Sequence, residues 1–363
     1  MASCSSAPAT AGTPYFPPEL IPDVARRLTS LQDFFALRAS CRVYRAALPL
    51  TPSNLASQAP LLLLIPDQDQ QATESPALYH LPLRRLLRFR FPRARQDSSG
   101  RRFFSLGCRV VICDYLRDSD SNRSELRMVH LLTGEQTRLP SPVAASTGFI
   151  VSGDLLLSWG HFGCTIQSYR LGVDADWSVA SIWKYYNLEG MVCVNGSIYV
   201  LVSSYMFDSP VYYLALVELS DNRNSAELVL LGALHPRALG LPADTELSLY
   251  PAECRGELIL VVAVEYDPMV YRAFKWKSGE DKWVRIDSLG GRALFFAFNC
   301  PFVGCLGPDH PGIRNNCIYF NEKGLWSEYS SVDGSFRQSD AVYPQGKLQK
   351  AATASVWVFP SMC

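Results

Sequence analysis

Apolar positions change their spacing once along this chain. Between Pro14 and Leu48 they recur at helical intervals. Leu20, Val24 and Leu28 are four apart, which places them on one face of a helix. Pro17 and Pro18 suit a helix's first turn, where the N–H has no partner, and Glu19 complements the positive end of the macrodipole. After a break at Thr29-Ser30 a second series follows: Leu31, Phe34, Phe35, Leu37, Cys41 and Tyr44. Ser30 is placed to cap this second helix, with Asp33 three positions on in a capping-box-like spacing. So short a helical stretch buries little surface by itself, so a partner or a neighbouring domain is implied.

Pro49, Pro52 and Pro60 then punctuate the chain and predict a linker over 49–60. Beyond it the texture is short runs of Val, Ile, Tyr, Phe and Trp between Gly, Asn, Asp, Ser and Pro, an all-β pattern. The runs recur. Gly107-Cys-Arg-Val-Val-Ile, Gly153-Asp-Leu-Leu-Leu, Gly196-Ser-Ile-Tyr-Val and Gly256-Glu-Leu-Ile-Leu share one form, and Asn316-Cys-Ile-Tyr-Phe repeats it with asparagine at the turn. Spacings of roughly 45 to 60 residues suit one four-stranded propeller blade each. Hairpins follow several of these starts: Leu126–Leu132 leads into Thr133-Gly134-Glu135, and Tyr271–Lys277 into Ser278-Gly279-Glu280 and Trp283–Ile286. A sixth blade can be assembled from Leu61–Ile65 and Leu86–Phe91 with Ser355–Phe359 as the closing strand, which leaves the ring no free edge. The alternative is an open pair of β-sandwiches. The expected fold is thus α+β and multidomain: a disordered stretch 1–14, an all-α module 15–48, a linker 49–60 and an all-β propeller of about six blades over 61–363.

Composition narrows the partners. Of 363 residues 48% are apolar, enough for a substantial core, and Lys+Arg equals Asp+Glu at 34 each, so bulk charge gives no ground for nucleic-acid or membrane affinity. Residues 1–15 lack the apolar core of a signal peptide, and the longest apolar runs, such as Leu61–Ile65, are too short to span a bilayer. Eleven scattered cysteines then read as reduced, mostly buried thiols, and the expected compartment is nucleus or cytoplasm. One charged feature rises above background. Arg84, Arg85, Arg88, Arg90, Arg93, Arg95, Arg101 and Arg102 crowd together with only Asp97 to offset them. Guanidinium pairs bidentately with phosphate, so the stripe could touch an acidic or phosphorylated target or nucleic acid, or serve as an import signal; equally it could be the solvated outer face of the first blade.

No constellation for catalysis stands out. The five histidines lie in unrelated settings, no Gly-x-Ser-x-Gly elbow is present, and Gly290-Gly291 lies between strands as a turn and not before a helix that could hold phosphate. Cys300, Cys305, His310 and Cys317 are close in sequence but lack the paired Cys-x2-Cys spacing of structural zinc sites, so no metal is expected. Trp159, Tyr205, Phe207 and Trp326 fall near predicted loops, where aromatic residues can be contacts, although packing between blades is their commoner use.

Two resemblances bear on function. The order Pro17-Pro18-Glu19-Leu20, Val24, Leu28-x-x-Leu31-x-Asp33-Phe34, Cys41-x-x-Tyr44 resembles the F-box, the module by which substrate receptors of cullin–RING ubiquitin ligases dock on a Skp-type adaptor. The family's usual tryptophan after the cysteine is Tyr44 here, and its usual leucine before the first proline is Phe16. The resemblance implies adaptor contacts by Pro17, Pro18, Glu19, Leu20, Ile21, Val24, Leu28, Leu31, Phe34, Leu37, Cys41 and Tyr44. Further on, Trp283–Phe295, Asn299-Cys300, Pro311–Phe320, Leu131–Glu135 with Leu139-Pro140, and Trp357–Pro360 are similar to the C-terminal, kelch-like propeller of a large plant F-box family. Where that family often begins a first blade with Gly-Ser-x-Gly-Trp, this chain has Ser105-Leu-Gly-Cys-Arg-Val. Together they imply a non-catalytic, cofactor-free substrate-recognition subunit of a Skp–cullin–F-box ligase whose propeller binds an unknown target protein. The alternative is a propeller enzyme or ligand-binding protein with a helical N-terminal cap.

Overall fold

The computed structural model describes residues 16–55, 58–66, 76–88, 98–116, 124–160, 165–182, 185–204, 211–242, 247–264, 270–297, 300–308, 310, 312–322, 325–340 and 354–362. The disordered stretch expected over 1–14 lies outside them, as do Arg90, Arg93, Arg95, Tyr205 and Phe207. The chain divides into two compact units, 1–58 with 360–363, and 59–359. No helix among the described residues is long and apolar enough to cross a membrane.

The first unit is helical. A 3-10 turn at Pro18–Leu20 runs into α1 (Ile21–Ala25), followed by α2 (Leu31–Ser40), α3 (Arg42–Ala47) and α4 (Pro52–Leu55). The face expected from Leu20, Val24 and Leu28 is rotated by one residue: Ile21 and Ala25 are buried, while Leu20 is 50% exposed. The prolines explain the shift. Pro17, Pro18 and Pro22 hold the entry in the tighter 3-10 form, with three residues per turn, so the 3.6-residue stripe starts only at Ile21. Ser30 does stand at the N-cap of α2, but its hydroxyl makes no capping bond and is buried with no hydrogen-bond partner among the described residues. The side chain that caps is Cys41, whose sulfur accepts the Tyr44 N–H at 3.4 Å at the start of α3. Residues 49–55 and Gln58 pack within this unit. Asn54 Nδ2 donates to Pro49 O at 3.0 Å, Gln58 Nε2 donates to Leu28 O, and α4 packs on α1 and on the C-terminal turn Pro360–Met362.

The second unit is a ring of six β-sheets built in chain order. The first blade holds β1 (Leu61–Ile65), β2 (Ala77–His80) and β3 (Arg85–Arg88); the second β4 (Ser98–Leu106), β5 (Arg109–Leu116), β6 (Ser124–His130) and β7 (Gln136–Leu139); the third β8 (Gly148–Ser152), β9 (Leu155–Trp159), β10 (Thr165–Arg170) and β11 (Ser178–Ser181). The fourth holds β12 (Tyr186–Val194), β13 (Ser197–Ser204), β14 (Val211–Leu219) and β15 (Ala226–Leu234); the fifth β16 (Leu247–Cys254), β17 (Glu257–Val264), β18 (Val270–Lys277) and β19 (Lys282–Ile286). The sixth holds β20 (Ala293–Ala297), β21 (Cys300–Leu306), β22 (Cys317–Glu322), β23 (Leu325–Ser330) and β24 (Phe336–Asp340). The last strand, β25 (Ala354–Val358), returns to the first blade and pairs antiparallel with β1, Leu62 opposite Trp357.

The recurring turn found in the sequence joins the first two strands of a blade. Val194 pairs with Ser197 and Cys254 with Glu257, leaving two-residue loops, Asn195-Gly196 and Arg255-Gly256, with positive φ at both positions. That is the hairpin geometry whose twist matches the strands it joins. Strands such as β1 and β20 read as unbroken apolar runs because both of their faces are buried.

The sixth blade departs from the repeat. β20 lies between β21 and β22, antiparallel to the first and parallel to the second. The in-register parallel pairing sets Phe295 beside Tyr319, rings stacked at 4.7 Å, and Phe296 beside Phe320, stacked at 5.3 Å. Such pairs add about 0.5–1.5 kcal/mol each beyond their buried area. The insertion displaces β21 inward, where it touches β4, β8, β12 and β16, the inner strands of the four blades that follow the first.

β25 is fastened on both sides. Trp357 Nε1 donates to Phe296 O at 3.0 Å, Asn321 Nδ2 donates to Ser355 O at 2.7 Å, Phe359 N–H donates to Gly107 O at 2.9 Å, and Ser105 donates its hydroxyl to Trp357 O. Trp357→Ala should therefore cost about 3–5 kcal/mol, the range for emptying a buried tryptophan site, seen as a lower midpoint in denaturant unfolding; Trp357→Phe, which keeps the ring but loses the N–H, should cost less.

Candidate docking surfaces

The residues expected to touch an adaptor separate into two groups. Ile21, Leu31, Phe34 and Tyr44 are buried and form the interior of the helical unit. Pro17, Glu19 and Leu20 are exposed, and Pro18, Val24, Leu28, Leu37 and Cys41 are half-buried. The outward apolar edge is thus Phe16 (43% exposed) to Leu20, with exposed Val43 on α3, which packs against the 3-10 turn. Direct contacts can come only from the second group; the first holds the edge in shape.

Tyr44 does that holding by two bonds. Its hydroxyl accepts the Phe16 N–H at 2.7 Å and donates to Phe16 O at 3.2 Å. The departure from tryptophan at this position therefore brings a polar tip that pins the residue leading into Pro17. The far end is tied by Arg38 Nε, which donates to Leu48 O at 2.9 Å.

Among the described residues the arginines of the stripe do not share one surface. Arg84 sits in the turn before β3 with φ 47°, Arg85 opens β3, and both are exposed. Arg88 ends that strand. Arg101, by contrast, has a side chain 3% exposed and pairs through Nε with Asp114 Oδ1 at 2.5 Å; Arg127 takes the other carboxylate oxygen. Arg102 lies over the Tyr115 ring, 5.7 Å from its centroid. A buried carboxylate next to Arg101 was not signalled by local sequence, because Asp114 is brought opposite it only by the β4–β5 register.

Between the second and third blades lies a cleft of about 370 Å3, lined by Arg109, Met128, His130, Glu135, Thr137 and Tyr169 among others. Sequence reading missed it, since its walls come from four strands. His130 Nδ1 accepts the Thr133 N–H at 3.3 Å, so the neutral ring carries its proton on Nε2, which faces Cys108 Sγ at 3.5 Å. A nitrogen that already holds a proton cannot take one from the thiol, so this pair is not set up as nucleophile and base. Burial, reinforced by the Arg109 charge, pushes the His130 pKa below its ordinary value, with Glu135 opposing. Among the described residues no group of three or more His, Cys, Asp or Glu is arranged to hold a metal. Of the cysteines weighed for zinc, Cys317 donates to Asn315 O at 3.4 Å and Cys305 faces Cys254. Trp159 is buried, and Trp326 is half-buried against the main core.

Two measurements follow from this geometry. Tyr44→Phe should loosen the Phe16–Leu20 edge by about 1–3 kcal/mol, the net worth of the two hydrogen bonds its hydroxyl makes, read as faster amide exchange over residues 16–25. For His130, a lowered folded pKa means the unfolded chain binds the proton more readily. Its contribution is whole above the unfolded value of about 6.5 and is lost as pH falls through the folded one. Acidification to about pH 5.5 should destabilise the wild type more than His130→Gln, by denaturant unfolding.

Comparison with known proteins places this geometry. No curated protein matches the chain. A chain in the crystal structure of a nidogen/laminin complex is similar at 12% identity over 84% of this chain and 100% of that one, with a TM-score of 0.42, a likeness too weak to bear on fold or function. The model of the KIB1-4 beta-propeller family matches residues 78–346, from β2 past β24. The match covers well over half of the chain and all of blades two to five, and on that ground the chain belongs to the KIB1-4 beta-propeller family.

Proposed function

We propose that this chain is the substrate-recognition subunit of a Skp–cullin–F-box ubiquitin ligase: its helical unit docks on a Skp-type adaptor and its propeller binds a target protein. The observation that carries the reading is the apolar edge Phe16–Leu20. It is exposed on a folded helical unit at the same residues whose order resembles the F-box, while the side chains behind it are buried. An exposed leucine beside prolines gains by association what it does not gain within the chain. Such a subunit needs no reacting group. It raises the effective concentration of a target lysine near a conjugating enzyme held elsewhere in the assembly. Exposed Arg84 and Arg85 on the first blade suit an acidic target segment.

The alternative of an enzyme or ligand-binding propeller has the cleft beside His130 as its foothold.

The test is co-purification of the full chain with a Skp-type adaptor, wild type against Leu20→Ala and Pro17→Ala/Leu20→Ala. Losing a buried leucine contact of about 2 kcal/mol weakens binding about 30-fold, and because Leu20 is exposed in the free chain the variants should keep their unfolding midpoint. A well-folded wild type that captures no adaptor removes the ligase reading and turns attention to the cleft.

A further inference from the structure

Two thiols meet where the fifth and sixth blades adjoin. Cys254 ends β16 and Cys305 lies on β21, and their sulfurs are 3.1 Å apart. The two strands belong to different sheets, with no backbone ladder between them. A disulfide bond is about 2.05 Å long, so closure needs a shift of about 1 Å. We propose that Cys254 and Cys305 are a peroxide-oxidisable pair, and that their disulfide locks the inward-displaced strand β21 to the inner strand of the fifth blade.

The surroundings favour one sulfur as the attacker. The hydrogen bond shared with Cys305 pulls the Cys254 thiol below its ordinary pKa, with Arg292 helping and burial, Glu253 and Glu257 opposing. Cys305 is pushed up by the same contact and by burial, with Arg292, which hydrogen-bonds its sulfur, opposing. Cys254 is thereby the more acidic sulfur of the pair and Cys305 the less acidic one beside it, which suits them to attack and to resolve. Arg292 precedes β20, so the inserted strand that displaces β21 also brings the cation to the pair.

The chemistry balances with hydrogen peroxide as oxidant. The Cys254 thiolate attacks one peroxide oxygen and the O–O bond breaks. Cys254 becomes a sulfenic acid, and the departing hydroxide takes up a proton and leaves as water. Cys305 sulfur then attacks Cys254 sulfur, the S–O bond breaks, and the hydroxyl leaves with the Cys305 proton as a second water. The two thiols give up two electrons and the peroxide accepts them; a small dithiol reverses the change by exchange. Cys254 is buried and Cys305 only partly exposed, so peroxide fits as oxidant where glutathione disulfide does not.

The experiment treats the full chain with hydrogen peroxide, blocks remaining thiols, and maps peptides by mass spectrometry. A peptide linking Cys254 to Cys305 is expected, absent after dithiothreitol. It should form several-fold more slowly in Arg292→Met, where less thiolate is held, and far less with glutathione disulfide. The oxidised chain should unfold at a higher temperature than the reduced one, and return on reduction. In Cys305→Ser the reaction should stop at Cys254 sulfenic acid, trapped by dimedone. If that variant fails to fold, the linked peptide in the wild type decides. Recovery of both cysteines as free thiols from folded, peroxide-treated wild type overturns the proposal, and so does over-oxidation of Cys254 to sulfinic acid with Cys305 unlinked.

Discussion

The propeller depends on one pairing that is remote in sequence, β25 against β1. Five of the six blades fold from neighbouring segments, but the first is complete only when Leu61–Ile65 is matched by Ala354–Val358. Until then the leucine-rich β1 presents an open edge that would pair with any strand available. The bonds that fix this strand come from both adjoining blades: Ser105 and Gly107 on one side, Phe296 and Asn321 on the other. Trp357 carries the largest share, since it is fully buried, donates to Phe296 O and meets the Phe295 ring edge-on at 5.2 Å. Forming so non-local a contact is slow, because the entropy of closing almost the whole ring must be spent first.

The sixth blade shows how a repeat can be altered without breaking its directions. β20 enters parallel to β22 and antiparallel to β21, so the inner strand still runs opposite to the one that follows it. The insertion is held by aromatic stacking on both of its faces, through Phe295 and Phe296. Its consequence reaches the other blades: β21 touches β4, β8, β12 and β16, and it carries Cys305 to Cys254.

Much of the ring was legible in order. The Gly107, Gly153, Gly196, Gly256 and Asn316 starts all mark real turns with positive φ, since only glycine and asparagine adopt that backbone readily. The closing role of 355–359 was also readable, because a β-rich chain with unmatched first and last strands must pair them or expose them. The short β2 was missed, for four residues carry no period. In the helical unit the elements were found but the buried face was off by one, as the prolines around Pro18 changed the residues per turn. The candidate site was legible as residue types only. Spacing could not separate Ile21 and Phe34, which fill the interior, from Pro17 and Leu20, which face outward.

The sequence by itself determined the boundary between helical and β texture and the blade repeat, because each is written in spacing and turn chemistry local to a few residues. Only the tertiary structure decided the inserted strand, the burial of Arg101 against Asp114, the cleft beside His130 and the meeting of Cys254 with Cys305. Those depend on register between strands and on contact between sheets, and neither leaves a periodic trace along the chain.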